Sequence, residues 1–135
     1  TVMVEKTFSA SVENLPSALS FVETELEKID CPMKTVMQIS VCVEEMFVNV
    51  AHYAYVNDDG EVTLSIDTES GVVSITLIDS GVPFDPLGKT DPDITLSAED
   101  RKIGGLGIFM VKKSMNEVSY ERRDDKNIFT MKKEI

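Results

Sequence analysis

The sequence predicts an α+β fold, a two-layer sandwich with helices packed on one face of a mixed, mostly antiparallel sheet. Strand-like segments come in pairs joined by short turns, which is the pattern of hairpins rather than of a doubly wound parallel sheet. Helical periodicity is grouped between these strands. The chain of 135 residues, 42% of them apolar, suits a single domain covering 1–135 with one core.

Residues 2–9, with Val2, Val4, Thr7 and Phe8, read as the first strand. Asn14-Leu15-Pro16 forms a helix entrance, because proline in a first turn forfeits no hydrogen bond. Leu15, Leu19, Val22, Leu26 and Ile29 then recur at helical spacing up to Asp30. Cys31-Pro32 breaks the pattern, and a second helix runs from about Met33 to Val56. That helix is apolar nearly all round, so cover on several sides is expected. Val62, Leu64 and Ile66 alternate with polar residues over 61–67, and Val72–Ile78 pairs with them across Glu69-Ser70-Gly71. Ser80–Lys102 is rich in Gly, Pro, Asp and Ser with little periodicity, as a functional lid would be. Gly104-Gly105-Leu106-Gly107 opens a third helix through Ile108, Val111 and Met115. Glu117–Arg123 and Asn127–Lys133 form a closing hairpin.

Several function classes fall away on composition. A net charge of −11 disfavours direct contact with DNA or RNA, which takes clustered Lys and Arg. It leaves nucleotides open, since Mg²⁺ and backbone N–H groups can offset phosphate charge. No apolar run approaches the length of a membrane span, and no basic stretch followed by an apolar core marks a signal peptide. A cytoplasmic protein without a membrane partner is the expectation. Cys31 and Cys42 lie outside any CxxC pair and His52 is the one histidine, which argues for free thiols and against a zinc site.

Glu45, Asn49 and His52 stand at i, i+4 and i+7 on the second helix and share a face. Burying a carboxylate without a partner is costly. A polar stripe on a largely apolar helix therefore implies a wet cavity, a metal, a buried polar network or a stripe that reaches the surface. An Asn oxygen suits Mg²⁺, and a Glu one turn away can accept a hydroxyl proton. Asp79-Ser80-Gly81 ends a strongly apolar strand, where an Asp can accept from an exocyclic amine and Gly81 admits a flat ring; an ordinary Asx turn reads the same way. Phe84-Asp85-Pro86 is a turn with an apolar anchor. Gly104, Gly105 and Gly107 precede an apolar helix, and their N–H groups with the helix dipole make an anion site or else a lid hinge. Neither the P-loop pattern nor the dinucleotide pattern G-x-G-x-x-G fits.

The order of these features resembles the GHKL (histidine-kinase-like) ATPase superfamily, and within it the anti-sigma-factor serine kinases. The resemblance runs over nearly the full length: Glu45–Asn49, "HYAY" at His52–Tyr55, "DSGVPFDP" at Asp79–Pro86, "GGLGIFMVKKSMNEVSYER" at Gly104–Arg122 and "NIFTMKK" at Asn127–Lys133. It implies the histidine-kinase-like ATPase fold with ATP and Mg²⁺. Asn49 would ligate the magnesium and Glu45 would act as general base on a partner serine. Asp79 would pair with the adenine amine, with Gly81 under the ring and His52, Phe84 and Leu106 beside the nucleotide. Gly104, Gly105 and Gly107 would contact phosphate, and Thr130 would join the polar network around adenine. The lid would span Pro86–Ile103, from which Arg101 and Lys102 are weak candidates for the γ-phosphate. Where many members carry a basic residue and then a His, this chain has His52 and Tyr53.

The resemblance implies an ATP-dependent serine kinase that phosphorylates a small anti-anti-sigma protein and holds a sigma factor. Homodimers are common in the family, though nothing in this sequence locates the interface. A non-catalytic ATP-binding regulatory module, a detached histidine-kinase catalytic domain and a purely structural domain are the alternatives. The absence of dimerisation and phospho-acceptor helices from this sequence counts against the second of these.

Overall fold

A computed structural model describes residues 2–55, 59–88 and 105–135. Strand β1 (Val2–Ser9) leads through a 3₁₀ turn at Val12–Asn14 into helices α1 (Leu15–Lys28) and α2 (Met33–Tyr53). Strands β2 (Glu61–Glu69) and β3 (Val72–Asp79) follow. After a second 3₁₀ turn at Pro86–Gly88 come α3 (Gly105–Ser114), β4 (Glu117–Arg123) and β5 (Lys126–Glu134). The elements stand in the order the sequence predicts. Most of the expected lid, with Arg101, Lys102 and Gly104, lies outside the described residues.

The strands form one sheet in the order β1-β2-β3-β5-β4. Every pairing is antiparallel, so the sheet expected to be mixed is antiparallel throughout the described strands. Two hairpins account for β2–β3 and β4–β5, and the helical connections return the chain in the antiparallel sense at β1 and β5. Ser70 and Gly71 (φ 51° and 78°) and Asp124 and Asp125 (φ 53° and 62°) make the hairpin turns. Paired left-handed residues match the twist of the flanking strands, and Asp tolerates that region better than a branched side chain does.

Period-two alternation puts Val73, Ile75 and Leu77 of β3 and Phe129 and Met131 of β5 on the face covered by the helices, none more than 5% exposed. Ala18, Val22 and Leu26 of α1 meet this face at a spacing of four residues. From α2 come Val36, Ile39, Val43, Met46 and Phe47. Helices α1 and α3 pack against α2. The helix layer is one helix deep, so α2 keeps an open stripe: Met33, Met37 and Val41 are 65%, 62% and 45% exposed. The helix is covered on several sides, by α1, α3 and the sheet, as its sequence predicts, and this stripe is the side left open.

Helix α2 also stops at Tyr53, short of Val56. The Ala54 carbonyl instead accepts the Val82 N–H at 2.9 Å, which ties the end of the helix to the turn after β3. Cys42 is buried, Cys31 is half-buried, and both are free thiols. Burial pushes both thiols up; at Cys42, Ser114 and Lys133 oppose that shift and Glu45 adds to it. Among the described residues no helix is long and apolar enough to cross a membrane.

Phe47 is fully buried and meets the Phe8 ring edge-on, with centroids 6.3 Å apart. Phe47→Ala should lower the unfolding free energy by about 3–5 kcal/mol, read as a lower denaturant midpoint at unchanged slope. A loss below about 1 kcal/mol would place the core elsewhere.

Candidate functional site

The alternation that buries Leu77 carries Asp79 to the same face at the end of β3, where it is 6% exposed. A carboxylate so placed needs hydrogen bonds. The register sets Asn127 of β5 directly opposite, also 6% exposed. Asn127 Nδ2 donates to Asp79 Oδ1 and to the Val82 carbonyl, each at 2.9 Å. The Gly81 N–H donates to the same Asp79 oxygen at 2.9 Å. Asn127 Oδ1 accepts from the Tyr120 hydroxyl at 2.6 Å and from the Phe84 N–H at 3.3 Å. Arg122 Nη1 caps the turn by donating to the Gly81 carbonyl at 2.9 Å. Asp79 Oδ2 accepts no hydrogen bond from the described residues, nor is it sealed from contact, since Asp67 Oδ1 is the one fully buried side-chain polar atom among them without a partner.

The turn is held from the other side by α2. A Cβ on Gly81 would collide with the Ala54 carbonyl, so this close approach requires glycine there. The Tyr55 hydroxyl donates to the Glu61 carbonyl at 2.6 Å and accepts the Ser80 N–H at 2.8 Å, pinning the helix end, β2 and the Asp79 turn together.

A cleft of about 40 Å³ opens beside Asp79, walled by Met46, Asn49, Tyr53, Phe84, Tyr120 and Asn127 among others. A second hollow, of about 150 Å³, is lined by Glu45, Asn49, His52, Gly107 and Ile108. Met46, Asn49 and Tyr53 border both, so the two spaces adjoin at Asn49. Glu45 and Asn49 are half-buried, and neither side chain has a hydrogen bond or ion pair among the described residues. A carboxylate and an amide one helical turn apart, both unengaged, are oxygen donors that fit a hard divalent cation and a proton acceptor beside it. Across the hollow, a Cβ on Gly107 would strike the Glu45 carboxylate, so the glycine lets the start of α3 lie against it. His52 is exposed, its ring edge-on to Tyr53 at 5.9 Å.

The structure thus brings Glu45, Asn49, His52 and Gly107 to one hollow and Asp79 and Phe84 to its neighbour, with Gly81 behind Asp79. Gly105 opens α3, while Gly104 and the Leu106 side chain lie outside the described residues. Thr130 is misplaced by the sequence reading. It pairs with Thr76, their hydroxyls 3.2 Å apart, on the sheet face turned away from the helices. The residue that joins the Asp79 network is Asn127, three positions earlier. The signal was present: Phe129 and Met131 mark the buried face of β5, and stepping back by two reaches Asn127.

Two glycine substitutions separate these contacts. Gly81→Ala must move backbone at Ala54 and should cost about 1–3 kcal/mol of stability. Gly107→Ala displaces only the end of a flexible side chain and should stay within about 1 kcal/mol of the parent. Thermal unfolding of both variants checks this; equal losses would contradict the packing described.

Residues 8–133 match the family of histidine kinase-like ATPase domains. The chain is 27% identical over 94 residues to the serine/threonine-protein kinase BtrW of Bordetella bronchiseptica, covering 69% of this chain and 66% of that protein. It is 28% identical over 120 residues to an anti-sigma F factor of Geobacillus kaustophilus, covering 88% of this chain and 82% of that one. In structure it is similar to the RsbU and RsbW domains of Rv1364c from Mycobacterium tuberculosis, with a TM-score of 0.72 at 14% identity over 99% of this chain and 32% of that chain. That last likeness concerns the fold.

Proposed function

The chain belongs to the histidine kinase-like ATPase domain family, and from that premise we propose that it is an ATP-dependent serine protein kinase and anti-sigma factor. In this reading residues 1–135 form one ATP-binding domain that acts in the cytoplasm. It phosphorylates a serine of a small anti-anti-sigma protein and sequesters a sigma factor. The relatives named a serine/threonine-protein kinase and an anti-sigma F factor support it. The observation that carries it is the unengaged pair Glu45 and Asn49 facing Gly107, beside the cleft of Asp79.

Asp79 receives the amino edge of the base and Asn49 holds Mg²⁺. When bound, magnesium supplies positive charge to the phosphates of ATP. Glu45 takes the proton of the acceptor serine as its oxygen bonds to the γ-phosphorus, and the bond to the β–γ bridging oxygen breaks with its electrons leaving on ADP. Catalysis by this chain is then mostly positioning.

Glu45→Ala should retain ATP binding and lower phosphoryl transfer by about 10²–10⁴-fold. Asn49→Ala should weaken magnesium-dependent ATP binding by about tenfold or more. Calorimetry and phosphoserine mass spectrometry with a cognate acceptor measure both. Equal transfer by Glu45→Ala and parent would remove the base assignment. ATP-dependent partner binding without any phosphoserine would favour a non-catalytic module.

A further inference from the structure

The hydrogen bonds around Asn127 are complete in a way that bears on ligand choice. A primary amide offers two N–H donors and one oxygen with two lone pairs. Both donors meet acceptors, the Val82 carbonyl and Asp79 Oδ1. The oxygen meets the Phe84 N–H and the Tyr120 hydroxyl. Since the Phe84 N–H can only donate and the Val82 carbonyl can only accept, the amide has a single workable orientation. Its donor edge therefore always faces Asp79. With the Gly81 N–H on the same atom, Asp79 Oδ1 is occupied by two donors. Oδ2 is the acceptor left for a ligand in the cleft that both residues line.

We propose that Asn127, oriented by Tyr120, is a positioning residue that holds Asp79 as a fixed acceptor and so selects a base bearing an amino group over one bearing a carbonyl at that place. This rests on the nucleotide-binding reading above. An amine donates to Oδ2, whereas a carbonyl oxygen sets lone pair against lone pair and leaves a buried acceptor unmatched. Without the Asn127 amide, Asp79 keeps one of its two anchors, the Gly81 N–H, and can turn to suit either base. Tyr120 acts at one remove: its hydroxyl fixes the amide and does not touch Asp79.

The test compares ATP with inosine triphosphate, which carries a carbonyl where ATP carries the amine, by calorimetry on the full chain with Mg²⁺. The parent should favour ATP by at least about tenfold. In Asn127→Leu that ratio should fall by about tenfold or more, mainly through weaker ATP binding. Tyr120→Phe removes one donor from a half-buried position and should lower the ratio by about two- to threefold. Should Asn127→Leu fail to fold by circular dichroism, Tyr120→Phe and Asn127→Ser decide the matter. Equal weakening toward both triphosphates would make Asn127 merely structural and overturn the proposal. A parent that binds ATP and inosine triphosphate alike overturns it while leaving nucleotide binding intact. A parent that binds neither overturns the nucleotide reading and this inference together.

Discussion

Everything at the candidate site depends on how α2 is seated. Ile39, Val43, Met46 and Phe47 are buried beneath it and lock its rotation against the sheet. Burying each such side chain contributes about 1.5–3 kcal/mol, and a turn of the helix by one residue would forfeit that burial and drive Glu45 toward the core without a partner. Glu45 and Asn49 therefore sit on the flank, half-buried, where α3 begins. The same packing that stabilises the domain aims the Glu45 and Asn49 side chains, which have no hydrogen-bond partner among the described residues.

The second half of the site is set by the sheet. Register and alternation place Asp79, Asn127 and Arg122 in one row across β3, β5 and β4 at the sheet's end. Asn127 satisfies one oxygen of Asp79, and Arg122 holds the turn beyond it through the Gly81 carbonyl. The halves are joined where α2 ends, by Val82 on Ala54 and by Tyr55 on both Glu61 and Ser80. A shift of that turn would therefore be felt at Asn49, which walls both cavities.

Much of this was legible in the sequence. Hydrophobic alternation found the strands within two residues of their ends, and the polar stripe of α2 pointed to Glu45 and Asn49 without any structure. Thr130 failed because carrying over a motif residue ignored which face of β5 it occupies, and the period of two assigns that face to Asn127. The sequence offers Gly81 as room for a flat ring or as part of an Asx turn; the Asx bond to Asp79 is present, and the close approach to Ala54, between segments far apart in sequence, is what local reading could not supply. The exposed stripe of Met33, Met37 and Val41 could not be singled out, because composition reports how apolar a helix is, not how many neighbours the layer gives it.

The central claim is that the Asp79 cleft and the Glu45–Asn49 hollow form one continuous site for a magnesium nucleotide. The most direct measurement is amide and side-chain chemical-shift mapping of the isotope-labelled chain titrated with Mg²⁺ and a non-hydrolysable ATP analogue. Shifts should concentrate at Asp79, Gly81, Asn49, Gly107 and the Asn127 side-chain amide, saturating with one affinity. Saturable shifts elsewhere that leave Asn49 and the Asn127 amide unmoved would contradict the account.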